Sequence, residues 1–66
     1  MSVAKVSELS SSSKKSFEDA IKNAIERAND TLDNIEGAWV NDMKVTVKNG
    51  KVDEYRVSLK VTFVLR

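Results

Sequence analysis

Apolar and polar side chains alternate through residues 54–65 at the C-terminal end of the chain. A period of two over this length predicts a β-strand with one buried face and one solvated face. The predicted buried face carries Tyr55, Val57, Leu59, Val61, Phe63 and Leu65. The predicted solvated face carries Glu54, Arg56, Ser58, Lys60 and Thr62, with Val64 as its one apolar member.

A second pattern, in which apolar residues recur three and four positions apart, predicts an amphipathic helix. Ser16 with Asp19 three residues later resembles a capping box, and Ser13 is an alternative cap. We expect the helical packing to end near Ile35, with Gly37 as the stop or as the entry to a strand. The apolar stripe consists of Phe17, Ala20, Ile21, Ala24, Ile25, Ala28 and Leu32.

Two further segments are predicted to be strands. Residues 4–9 alternate imperfectly, and the four serines that follow them are interpreted as a turn before the helix. Residues 39–48 form the other predicted strand, in which Asn41 interrupts an apolar parity. The alternation predicts that the side chains of one face point toward the helix, namely those of Trp39, Met43, Val45 and Val47.

Asn49-Gly50 is a strong signal for a hairpin between the last two strands. A strict two-residue turn would place Met43 opposite Arg56, so that the apolar faces of the two strands disagree. A three-residue loop over residues 48–50, with Gly50 in a left-handed bulge, brings the faces into agreement. The pairs that this loop predicts are Val47 with Lys51, Met43 with Tyr55 and Trp39 with Leu59.

The predicted order of elements is strand, helix, strand, strand, which is an α+β arrangement. A helix between the first two strands makes these strands point the same way, and the hairpin reverses the third. The first strand can then join an all-antiparallel sheet only beside the third. The sequence therefore predicts one domain over residues 1–66, with a sheet of order 1-3-2 wrapped around one helix.

The size of the chain makes self-association the expected source of stability. A domain of about 60 residues buries only about 60% of the surface that its unfolded chain exposes. With no Cys and no His among 66 residues, a disulfide is excluded and a zinc site is disfavoured. Oligomerisation is the remaining way to stabilise a domain of this size.

The net charge of +1 argues against a nucleic-acid or anionic-membrane binder, which would carry a basic cluster. No apolar run approaches the length of a membrane span, and the N-terminus lacks the apolar core of a signal peptide. We expect a cytoplasmic protein. The usual base-activated nucleophiles depend on His or Cys, and no spacing suggests a Ser–Lys catalytic pair, so we do not expect an enzyme. Because Gly37 and Gly50 are the only glycines, we expect no phosphate-binding loop.

Three sets of side chains are candidates for ligand binding. Trp39 is either a core or interface aromatic or a stacking platform for a planar ligand. Lys44 and Arg56 are either solvated strand residues or salt-bridge partners of Glu54 or Asp42, or else they contact an anionic or hydrogen-bonding ligand at an interface. Four carboxylates near the helix end either form a solvated face or, gathered around a symmetry axis, hold calcium or magnesium. These carboxylates belong to Asp30, Asp33, Glu36 and Asp42.

Several segments share a pattern with one known family. They are residues 5–9, Ser13, residues 17–21, the pairs Ala24-Ile25 and Arg27-Ala28, and residues 54–65. Together, over nearly the whole length of the chain, they resemble the dodecins. The resemblance implies a homododecameric shell of strand–helix–strand–strand subunits. It also implies that the protein binds flavins such as riboflavin or FMN between subunits, for storage or protection and without catalysis.

The resemblance also implies which residues meet the ligand. Flavin-binding dodecins carry a stacking Trp where this chain has Gly37, and a Gln where it has Arg56. Lys44 stands where an Arg is common near the ligand, and Trp39 is a substitute stacking residue. Arg27 and Thr31 match positions that hold coenzyme A. We therefore expect a small-molecule shell with an altered flavin site or, as in the branch that lacks the Trp, a calcium-binding or structural shell.

Overall fold

The computed structural model describes residues 3–65 as a three-stranded antiparallel sheet with one helix packed on one face. The elements are β1 (Val3–Ser13), α1 (Phe17–Asn29), β2 (Ile35–Lys48) and β3 (Lys51–Leu65). The predicted strand order 1-3-2 is confirmed, since β3 pairs with both other strands. No helix in this range has the length and apolar content needed to span a membrane.

The core lies between α1 and the centre of β3. Val57, Leu59 and Val61 are at most 2% exposed, which confirms the alternation predicted for this strand. Burying each such side chain contributes about 1.5–3 kcal/mol. They pack against the helix stripe, whose small alanines let the helix come close to the sheet. The alanines in this contact are Ala20 and Ala24, and Ala28, one turn further along the stripe, is buried as well.

The serine run is part of a strand, so its interpretation as a turn is wrong. Residues 10–13 pair with residues 58–55 of β3 and prolong β1 to Ser13. Pairing with an already buried strand outweighs the weak strand preference of serine. Ser16 caps the helix as predicted, because its hydroxyl accepts a hydrogen bond of 3.0 Å from the Asp19 backbone N–H.

The helix ends earlier than the apolar stripe suggests. Its last residue is Asn29, with Asp30 as the C-cap. The chain reverses through Asn34, whose positive φ of 58° is of the kind that Asn tolerates better than most residues. Gly37 is therefore not the helix stop, because β2 has already begun at Ile35.

The predicted three-residue loop is also wrong. Asn49 and Gly50, with φ values of 53° and 75°, form a two-residue turn of the I′ kind, and Lys48 pairs with Lys51. The faces agree because the extra residue lies further along β3, at Asp53. The observed pairs are Val47 with Val52, Val45 with Tyr55 and Met43 with Val57.

A second bulge reverses the predicted orientation of Trp39. Val40 pairs with Leu59 and Asp42 pairs with Ser58, so Asn41 is the extra residue. Because one inserted residue moves the side chains on its far side from the hairpin turn to the other face, Trp39 pairs with Lys60 and not with Leu59. Trp39 therefore lies on the face opposite the helix, and Val40 takes the inward position.

The helix covers β1 and β3 and leaves β2 largely uncovered. Apolar side chains of the hairpin consequently stay exposed, among them Met43, Val45, Val47 and Val52. The subunit is elongated, with extents of 51 × 19 × 13 Å. Its radius of gyration of 13.6 Å exceeds the value of about 11 Å expected for a compact chain of this length.

Candidate functional site

The sheet face turned away from α1, here called the outer face, carries five of the ten predicted site residues, namely Gly37, Trp39, Asp42, Lys44 and Arg56. Antiparallel pairing arranges its side chains in rows across β1, β3 and β2. The rows, in this strand order, are Ser12–Arg56–Lys44, Ser10–Ser58–Asp42, Glu8–Lys60–Trp39 and Val6–Thr62–Gly37.

The first two rows line an open groove of about 390 Å³, here called the polar groove. Its wall offers hydroxyl groups from β1 and β3, one carboxylate and two cationic side chains. Such a lining suits a polar or anionic ligand better than an apolar one. The lining residues are Ser10, Ser11, Ser12, Asp42, Lys44, Arg56, Val57 and Ser58.

Arg56 is held in place at the end of the polar groove. Its guanidinium lies 3.1 Å from a carboxylate oxygen of Glu54 on the same strand. The second oxygen of Glu54 accepts a hydrogen bond of 3.5 Å from Ser12, and the Glu54 backbone N–H donates to the Thr46 hydroxyl at 3.0 Å. The Arg56 side chain is half exposed, so this pair orients Arg56 more than it stabilises the fold.

Lys44 lies directly across the ladder from Arg56. Among residues 3–65, the carboxylate contacts within 4 Å belong to Lys14, Arg27 and Arg56, so the Lys44 ammonium has none. Asp42 shares the polar groove, and its carboxylate accepts a hydrogen bond of 3.0 Å from the Met43 backbone N–H. The groove therefore presents one neutralised and one free cation beside a carboxylate.

Trp39 and Gly37 share the outer face two residues apart. Trp39 is 66% exposed, and the Lys60 ammonium nitrogen lies 5.3 Å from the centroid of its ring. That distance falls within the range of a cation–π interaction. A Cβ atom at Gly37 would meet nothing within 4 Å, so the surface beside the indole is open.

Arg27 and Thr31 lie away from the outer face, at a second hollow of about 540 Å³ between α1 and β1. The Arg27 guanidinium lies 3.7 Å from Asp30, and the Thr31 hydroxyl donates to the Ala28 carbonyl at 3.5 Å. Both side chains are exposed. The coenzyme A site at these positions stays a prediction.

The four carboxylates proposed for a metal do not meet within one subunit. Asp30 caps α1, Asp33 lies in the turn after it, Glu36 is the extra residue of a bulge, and Asp42 faces the polar groove. No group of three acidic side chains in residues 3–65 is placed to hold a metal ion. A cation site built from these residues would need carboxylates from more than one copy.

Several groove residues were not among the predicted site residues. Ser10 and Ser12 were missed because the serine run was interpreted as a turn, and Ser58, although predicted to lie on the solvated face of β3, was not singled out as a site residue. Once β1 is prolonged through that run, alternation puts Ser10 and Ser12 on the outer face beside Ser58 and Arg56. Lys60 was assigned to the polar face of β3, but its contact with Trp39 depends on the bulge at Asn41.

Comparison with known proteins agrees with this fold. A family model described as dodecin matches residues 3–66. The chain is 36% identical over 66 residues to a protein named calcium dodecin from Mycobacterium tuberculosis (strain ATCC 25618 / H37Rv). That alignment covers 100% of this chain and 93% of the relative.

Solved structures agree as well. A point mutant of the Thermus thermophilus dodecin superposes with a TM-score of 0.94 at 35% identity, covering 100% of this chain and 98% of the other. Calcium dodecin from Mycobacterium tuberculosis, described as calcium chelating with a novel calcium-binding site, gives 0.83 at 37% identity, covering 97% and 91%. The chain therefore belongs to the dodecin family.

Proposed function

We propose that this protein is a non-enzymatic shell that binds and sequesters a flavin-type small molecule on the outer face of its sheet. The observation that carries the proposal is the placement of Trp39 on the same face as the polar groove, where Lys44 and Arg56 lie side by side. A planar ring would stack on the indole, and its polar substituents would meet the cations and hydroxyl groups.

A homododecamer is the assembly we propose for this shell. Dodecins are oligomeric proteins that bind small ligands. The uncovered apolar residues of the hairpin and the elongated subunit support association, because a single chain leaves this surface exposed to water. The outer faces of neighbouring copies would then enclose the ligand from two sides.

Titration with riboflavin and with FMN tests the proposed ligand. We expect micromolar protein to quench the fluorescence of both flavins. The double variant Gly37→Trp with Arg56→Gln should raise riboflavin affinity by about tenfold, because it adds a second stacking surface and removes a cation from the neutral ring edge. Gly37 has room for the larger side chain.

Lys51, an exposed residue beside the hairpin turn, provides the control for this experiment. Like Arg56→Gln, Lys51→Gln removes one positive charge, but it does so at the far end of the sheet and should leave flavin affinity at the wild-type value. Wild-type protein that leaves flavin fluorescence unquenched at micromolar concentration would rule out flavin binding. Unchanged affinity in the double variant would show that the ligand lies elsewhere.

Calcium binding is the alternative function, and the relative named calcium dodecin is the observation that favours it. Magnesium is the other hard cation that carboxylates would accept. The proposed ligands are Asp30, Asp33, Glu36 and Asp42, contributed by several copies around a symmetry axis.

A thermal melt tests the alternative. A ligand that binds only the folded state raises the melting temperature with its concentration. We expect calcium to raise the melting temperature, chelator to reverse the rise, and Asp42→Asn to reduce it, while Glu26→Gln on the exposed helix surface leaves it intact. A melting temperature that does not depend on calcium would contradict the proposal that the protein binds this cation.

A further inference from the structure

The positively charged side chain of Lys60 lies over the indole ring of Trp39. The Lys60 ammonium nitrogen lies 5.3 Å from the ring centroid, while two-thirds of the Trp39 surface stays exposed. The contact directs the lysine side chain from β3 toward β2 and holds its charge beside the surface on which a planar ligand would lie. The two side chains therefore present an aromatic surface and a cation together.

The charge on Lys60 has no carboxylate partner in residues 3–65. Glu8 lies directly across the β1–β3 ladder from Lys60, yet the ion pairs in this range join other residues. The ammonium turns instead toward the indole on the opposite neighbouring strand. Its charge is consequently available to a ligand that rests against Trp39.

Lys60 acts at a different place from the cations of the polar groove. Four residues of β3 separate it from Arg56, which corresponds to about 13 Å along a strand. A ring stacked on Trp39 would come close to the Lys60 ammonium that lies over the indole, whereas Lys44 and Arg56 would meet a substituent that extends along the sheet. The open surface at Gly37, two residues along the same strand, leaves space for such a ring beside the indole.

We propose that Trp39 and Lys60 form a platform that prefers planar aromatic ligands whose ring bears a negative charge over neutral rings of the same shape. This inference rests on the proposed role of the outer face in ligand binding. It names the ligand class of one part of that face, which is an aromatic anion with its charge on or next to the ring.

Equilibrium dialysis with 2-naphthoate and 2-naphthamide tests the platform, because the two rings have the same size and differ in charge. We expect wild-type protein to bind 2-naphthoate about fivefold more tightly, as an exposed ion pair allows. Lys60→Gln should bring the two affinities together, and Lys60→Arg should restore the difference. Trp39→Leu should weaken both ligands, and Lys51→Gln should behave as the wild type.

Equal affinities in the wild type, or a preference that Lys60→Gln leaves intact, would overturn the proposal, as would failure to bind either compound. Riboflavin titration of the same samples separates this inference from the proposed function. Charge preference without riboflavin binding would refute the flavin proposal and leave the platform standing. Riboflavin binding without a preference for the charged naphthalene would refute the platform and leave the flavin proposal standing.

Discussion

At the scale of single residues, Asp19 joins the end of β1 to the first turn of α1. Its carboxylate accepts hydrogen bonds from the Ser13 hydroxyl at 2.6 Å and from the Asn23 amide at 3.2 Å. The Ser13 oxygen in turn accepts a bond of 2.9 Å from the Lys15 backbone N–H. Ser13, which the sequence suggested as an alternative cap, thus binds Asp19 from the strand side, and the Asp19 backbone N–H in turn donates to the cap residue Ser16.

The same contacts hold the pKa of the Asp19 carboxyl below its usual value of 3.8, chiefly through the hydrogen bond from Ser13 and further through Lys15, Asn23 and Lys22. A carboxyl whose pKa is lower in the folded state stabilises the fold above its unfolded pKa. That contribution is lost as the pH falls through the folded pKa. The affected window therefore lies below about pH 4.

Replacing Asp19 with Asn keeps the shape of the side chain and removes its charge. We expect Asp19→Asn to lower the melting temperature at pH 7, and the gap from the wild type to narrow as the pH falls below about 4, because the wild-type carboxyl then becomes neutral as well. Melting curves at pH 7, 5 and 3 measure this gap.

Glu26→Gln, an exposed change in the same helix, is the control for charge and should show no comparable pH-dependent gap. A gap for Asp19→Asn that is the same at pH 7 and pH 3 would contradict an electrostatic role for the Asp19 carboxylate. The effect of the substitution would then come from the shape of the cap alone.

At the scale of secondary structure elements, the bulges of the β2–β3 hairpin decide which side chains meet a ligand. Asp53 sets the phase of the hairpin, and Asn41 sets the phase of the first half of β2. Without the bulge at Asn41, Trp39 would point toward the helix, and the outer face would hold no tryptophan. One extra residue therefore creates the aromatic part of the candidate site.

At the scale of the whole molecule, one subunit does not cover its own apolar surface. The helix lies over β1 and β3, and the inward side of β2 extends beyond it, with Met43 and Val45 exposed at 48% and 40%. Monomeric soluble proteins rarely expose large contiguous apolar patches. Burial of this side by other copies is the simplest way to remove it from water.

Light scattering measures the assembly directly. We expect a mass about twelve times the 7.4 kDa of one chain. Val45→Asp, which places a charge on the uncovered side of β2, should reduce that mass, because an unpaired charge is costly to bury. Lys51→Gln should leave the mass unchanged, and a wild-type mass near that of a single chain would refute the shell.

Part of the candidate site was accessible from the sequence. Alternation along residues 54–65 placed Arg56 and Lys60 on the solvated face of a strand, and the structure agrees. The family resemblance drew attention to Gly37 and Lys44, which lie on that same face. The β1 serines of the groove were not found, because a run of four small polar residues has the local composition of a turn as well as of an edge strand.

The sequence by itself determined the elements and their order. Periods of two and of three to four identified the long strand and the helix, and the hairpin signal with the intervening helix fixed the order 1-3-2. Tertiary structure alone decided the register and the face on which Trp39 lies. A bulge inserts one residue with little local signature, and its position is set by which side chains the helix and the neighbouring strand bury.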